Sequence, residues 1–139
     1  MGHYYERMTN ISRFIVQAIP ALNDDRNNMS IKQLCGLFHA DLFSSEVITS
    51  FADENTSGAK YLCDLLGKYD REPKLDRIVV VLTTGEYHKE MTEDEKKLCK
   101  LLVGDCKSSD ILFATDPSLG RQARINYATF NPKEPLESI

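Results

Sequence analysis

Several signals that would fix a function at sight are missing from this chain. No run approaches the ~20 apolar residues that cross a bilayer. The opening Met1-Gly2-His3-Tyr4-Tyr5 has no apolar core of a secretory signal, and Glu6 stands where N-myristoylation wants Ser or Thr. There is no Gly-x-Gly-x-x-Gly or Gly-Lys-Ser/Thr run to cradle a phosphate, and no Cys-x-x-Cys pair to begin a structural zinc site. Cations are outnumbered: 17 Lys and Arg against 21 Asp and Glu give a net charge of −4 and a pI near 5.4. Wrapping nucleic acid by bulk charge needs an excess of cations on one face, so it is disfavoured and only a local basic patch stays open. No repeat, low-complexity tract or linker divides the chain.

The 139 residues, 42% hydrophobic and 27% charged, fit one domain with a single core over residues 1–139. Cys35, Cys63 and Cys99 fall inside apolar helical patterns, where a thiol acts as a small hydrophobe. All four cysteines, Cys106 included, are therefore read as reduced, which places the protein inside the cell, in the cytoplasm.

The strongest structural signal is Leu75 to Thr84, where the β-branched Ile78-Val79-Val80-Val81 and Leu82 predict a strand covered on both faces. Around it lie amphipathic helices. Ile11, Phe14, Ile15, Ala18 and Ile19 share one face of a helix capped by Thr9 or Asn10 and ending or kinking at Pro20. The polar run Asn23 to Asn28 reads as a loop. Ser30 and Gln33 form a capping box that opens a helix carrying Ile31, Leu34, Cys35, Leu37 and Phe38. A short helix is expected from Ser44 or Ser45, with Val47, Ile48 and Phe51 inward. Tyr61, Leu62, Leu65 and Leu66 make a fourth, which Gly67 would end in the left-handed conformation. Thr92 and Glu95 are a second capping box, leading into Leu98, Cys99, Leu101, Leu102 and Val103 and stopping at Gly104.

Ile111 to Ala114 and Arg124 to Phe130 predict two shorter strands joined by a turn at Asp116 to Gly120, which suggests a hairpin. The tail from Asn131 is expected to be loose. The class is α+β: a helical front half, about residues 9–67, on a small and mainly antiparallel sheet. The strand, helix and hairpin part spans about residues 75–130, with its additional helix at about 92–103.

Chemistry is thin. Cys35 and His39 share a helix face four residues apart, as a thiolate–imidazolium pair would, but a buried thiol and a dipole-suited helix-end histidine explain them as well. The acidic group Glu86, Glu90, Glu93, Asp94 and Glu95, with His88 among it, has ligand-type side chains; helix capping accounts for most of it. Thr83, Thr84, Gly85 and Glu86 follow the main strand at its carboxyl end, where open α/β sheets hold ligands. Arg71, Lys74, Arg77, Arg121 and Arg124 would form one positive patch, with Tyr69 and Tyr127 beside it, if the strands that they flank are neighbours. Neither a metal nor a cofactor is expected.

Two segments carry a resemblance: Met29-Ser30-Ile31-Lys32-Gln33-Leu34-Cys35-Gly36-Leu37-Phe38, and Ser57-Gly58-Ala59-Lys60-Tyr61-Leu62-Cys63-Asp64-Leu65-Leu66 ahead of the strand. Together they resemble the LOTUS (OST-HTH) winged-helix pattern over roughly residues 11–82. Ser30, Gln33, Leu34 and Phe38 match its first helix, and Gly58, Tyr61, Leu62, Asp64, Leu65 and Leu66 its later one. The resemblance implies a non-enzymatic module that binds an RNA helicase of the DEAD-box type or structured RNA, as part of an RNA-regulatory protein.

The expectation is thus an adaptor that docks a protein partner, with RNA as a secondary ligand, no membrane, and a homodimer left open. Its contact residues are Leu37 and Leu42 as apolar anchors, the basic Arg71, Lys74, Arg77, Arg121 and Arg124, and Tyr127. The competing readings are a small α/β enzyme with its site at Thr83 to His88, and a viral or phage inhibitor of a host protein.

Overall fold

The computed structural model describes residues 2–51, 55–68 and 75–132, with side chains from residue 6 to residue 131. Within these bounds the chain is α+β: four helices and one four-stranded mixed sheet.

Helix α1 spans Gly2–Leu22, and α2 spans Ile31–Cys35 and runs into a 3₁₀ turn, Gly36–His39. Strand β1 is Ala40–Thr49, α3 is Gly58–Gly67, β2 is Arg77–Thr84 and α4 is Glu93–Val103. Strands β3, Ser108–Thr115, and β4, Ala123–Pro132, complete it, with a 3₁₀ turn at Pro117–Leu119 between them.

The sheet order is β1-β4-β2-β3. Strand β2 is the heart of it, buried from Ile78 to Thr83 as an apolar run with no polar side requires. Its alternate residues supply two cores. Val79 and Val81 join Leu112, Ala114, Ala128 and Phe130 under Ile11, Phe14, Ala18 and Leu34 of α1 and α2. Ile78, Val80 and Leu82 join Ile125 under Leu62 and Leu66 of α3 and Leu98 and Leu102 of α4. The helices thus lie in two layers, one on each face.

Both expected capping boxes are present. The Ser30 hydroxyl accepts from the Gln33 amide while the Gln33 side chain accepts from Ser30, and Thr92 and Glu95 do the same for α4. Gly104, at φ 49°, closes α4.

Six expectations change. The single core becomes two, because β2 is apolar on both faces and each face is covered. Helix α1 starts well before Thr9 and carries Pro20 inside its last turn, at the cost of the hydrogen bond that a backbone N–H there would give the Val16 carbonyl; Ile19 points outward. The helix expected from Ser44 is strand β1, since β4 offers a partner ladder and the β-branched Val47, Ile48 and Thr49 favour it. Gly67 ends α3 without a left-handed turn, because Lys68 continues in the right-handed region.

Strands β3 and β4 do not form a hairpin. β3 pairs in parallel with β2, as a strand returning through a helix does, so β4 passes the end of β2 and adds antiparallel on its far side. Strand β4 also takes in Asn131 and Pro132, expected to be loose; the rest of the expected tail, 133–139, lies outside the described residues. Since α1 and α2 lie on one face and α3 on the other, nothing in this arrangement confirms the winged-helix likeness.

Candidate functional site

The carboxyl end of β2, proposed from sequence as the enzyme-like site, is filled by side chains that satisfy each other. Arg26, from the loop after α1, donates from Nε and one terminal nitrogen to the two Asp24 carboxylate oxygens at 2.8 and 2.6 Å. It also reaches the His88 carbonyl at 2.9 Å and Thr115 Oγ1 at 3.2 Å. Its guanidinium lies 4.6 Å from the centre of the Tyr87 ring and 5.2 Å from that of Phe113, close enough for cation–π attraction. These hydrogen bonds hold the Asp24 carboxyl below its ordinary range.

Beside it, His88 Nε2 meets both oxygens of Glu95, at 2.7 and 2.8 Å. Glu95 is only 4% exposed and also caps Thr92 N. The space left among Arg26, Thr84, His88 and Glu95 is about 10 Å³, room for one water at most. Gly85 serves the fold here. A side chain on it would collide with the Gly120 backbone, where the link from β3 to β4 crosses the end of β2.

Two of the four thiols, Cys63 and Cys99, are shifted away from the reactive thiolate. Burial pushes the Cys99 thiol up to about 11, and burial, with Asp94 adding to it, raises that of Cys63. Cys35 and His39 make no hydrogen bond to each other, and His39 faces a different end of the sheet. Among the described residues, no three His, Cys, Asp or Glu side chains gather as a metal would need. Of the acidic group, Asp94 instead accepts from Ser57 Oγ at 2.9 Å, tying the starts of α3 and α4 together.

The amino end of β2 is the opposite case. Because α2 and its 3₁₀ turn are short, part of the sheet has no roof among the described residues. A pocket of about 360 Å³ opens there, floored by Leu34, Leu37, Val79 and Phe130 and rimmed by His39, Arg77 and Asp110. Its volume falls in the range of small-molecule sites.

The two edges of the sheet differ as well. On β3, the Asn27 side chain imitates a neighbouring strand: its Nδ2 donates to the Phe113 carbonyl at 2.7 Å and its Oδ1 accepts from the Phe113 amide at 2.8 Å. No described strand lines the outer side of β1. Along it or just beyond stand Leu42, Val47 and Phe51, exposed by 65%, 46% and 72%. Leu42 sits in a bulge between Asp41 and Ser44 with φ 50°, a conformation costly for any residue but glycine. The Phe51 ring rests edge-on against Tyr61 of α3 at 5.7 Å, carrying the apolar surface onto that helix.

The expected contact residues are therefore scattered. Leu42 is an exposed anchor, but Leu37 is 5% exposed, drawn under α1 by the 3₁₀ turn. Among the described residues the basic patch does not assemble. Strands β2 and β4 are neighbours, yet they run antiparallel, so Arg77 faces Phe130 while Arg124 faces Thr83 at the other end. Arg124 meets Asp116 at 3.5 Å, and the Tyr127 hydroxyl is hydrogen-bonded to Glu46. Arg71 and Lys74 lie outside the described residues.

Sequence reasoning missed Asp24, Arg26 and Asn27, taken only as a polar loop, and Asp110, which precedes the apolar run of β3. The carboxylate and guanidinium two residues apart were the visible signal for the first group. No helix among the described residues is long and apolar enough to cross a membrane.

No protein-family model matches the chain, and no curated protein does. Among solved structures it is similar to a crystal structure of HypE from E. coli, described as a hydrogenase maturation protein. The identity is 12% and the TM-score 0.33, over 93% of this chain and 44% of that one. A second crystal structure of E. coli HypE matches at 10% identity and TM-score 0.32, with the same coverage. The chain thus spans less than half of HypE, and at that level the likeness says nothing about function.

Proposed function

We propose that this chain is a non-enzymatic interaction module that docks a protein partner as an added strand along β1, with Leu42, Val47 and Phe51 as its apolar anchors. One observation carries the reading. The loop before α2 caps the β3 edge at Phe113, while the outer side of the ten-residue β1, bulged at Leu42 but without Lys or Pro, has no strand partner among the described residues. Strand addition gives affinity through the backbone ladder and specificity through alternate side chains.

The filled carboxyl end of β2 and the raised Cys63 and Cys99 thiols speak against the competing enzyme site at Thr83 to His88. RNA, the secondary ligand of the sequence reading, loses its main support with the dispersal of the basic residues.

The test is a pull-down from native lysate, with and without nuclease, comparing wild type with Val47→Lys. A stoichiometric protein that survives nuclease and is lost with Val47→Lys supports the reading. Partners that vanish with nuclease, or that ignore Val47→Lys, overturn it.

A further inference from the structure

The pocket at the amino end of β2 holds two opposite charges that do not meet. Arg77 and Asp110 project from the same face of adjacent strands, Asp110 opposite Val79 and Arg77 one alternate position away. Neither forms an ion pair among the described residues. Between and below them lie the buried Leu34, Leu37 and Phe130.

We infer that this pocket binds a small zwitterion with an apolar body, of about the size of a dipeptide with branched or aromatic side chains. Its carboxylate is taken by the Arg77 guanidinium, whose planar fork matches it. Its ammonium is taken by Asp110, with His39 at the rim, and its side chains lie on the apolar floor.

The alternatives each leave something unpaired. A simple anion meets Arg77 but is repelled by Asp110, a simple cation meets the reverse, and a wholly apolar ligand strips water from both charges and gives nothing back. Only a ligand with both charges uses every wall. The volume of about 360 Å³ corresponds to the share of about a dozen waters, which suits such a molecule. This site is separate from the outer edge of β1 and stands or falls without it.

The experiment is a titration of the ¹⁵N-labelled chain with leucylphenylalanine, its N-acetyl form and its C-terminal amide, following backbone amide shifts. Saturable shifts are expected at Gly36, Val79 and Asp110, and blocking either end of the dipeptide weakens binding about tenfold. Arg77→Gln weakens the free dipeptide about tenfold without changing the affinity of the amide form. Asp110→Asn does the same for the free dipeptide while sparing the N-acetyl form. Both side chains are exposed, so both variants retain the wild-type spectrum elsewhere. The inference is overturned by the absence of saturable shifts, by equal binding of a blocked form, or by shifts that ignore Arg77→Gln.

Discussion

The two edges of one sheet have been treated in opposite ways. At β3, Asn27 occupies the backbone of Phe113 as a neighbouring strand would, and Arg26 is stacked on the Phe113 ring and bonded to Thr115. At β1, the outer backbone is bare among the described residues and the flanking side chains include Leu42 and Val47. An unprotected edge invites other strands, and natural proteins blunt theirs. A molecule that blunts one edge with a side chain from a six-residue polar loop, and does not do so at the other, shows the contrast on which the proposed docking at β1 rests.

The contrast can be broken from the sealed side first. Arg26→Ala removes the partner of the buried Asp24 carboxylate, with side chains only 8% and 9% exposed, and should cost about 3 kcal/mol in urea unfolding, a large share of a typical domain's stability. A loss below about 0.5 kcal/mol, the range of an ordinary surface change, would mean that the loop is not part of the seal. Asn27→Ala should cost about 1–2 kcal/mol and speed hydrogen exchange at the Phe113 amide, with little change elsewhere on β3.

Acid sharpens the same point. The folded Asp24 carboxyl titrates below its ordinary value of 3.8, so its contribution is complete above that value and is lost as the pH falls through the depressed one. Urea midpoints measured downward from pH 5 should drop in wild type more steeply than in Asp24→Asn.

On the open side the expected effects on stability are small and those on binding are not. Leu42→Gly relieves the positive φ but frees the unfolded chain, for a net gain of about 0.5 kcal/mol, while weakening partner capture. Val47→Lys should move the unfolding midpoint least, within about 0.5 kcal/mol, because the side chain is already half in water. A marked stability loss in Val47→Lys would place Val47 in the core and end the comparison.

Local chemistry was legible in the sequence wherever it was decided locally. The two capping boxes need only residues three apart, and the strand Ile78 to Leu82 needs only its own β-branched run. Pairing was not, because it depends on distant partners. Val47, Ile48 and Phe51 fit a helix face as well as a strand, and only β4, some eighty residues later, decides between them. The supposed hairpin failed for the same reason: β3 was already paired to β2 through α4. The basic patch needed strand direction, which composition does not carry. The pocket needed to know that α2 stops short, and the seal on β3 needed the meeting of Asn27 with a residue far along the chain.

Strand β4 is the last of the described strands in the chain and yet lies inside the sheet, between β1 and β2. On the ribosome, then, β1 emerges early and waits for its neighbour, some eighty residues on, until Ala123 to Pro132 have cleared the exit tunnel. Until that moment β1 has both of its sides unclaimed, and chaperones that shield extended segments have their longest opportunity there.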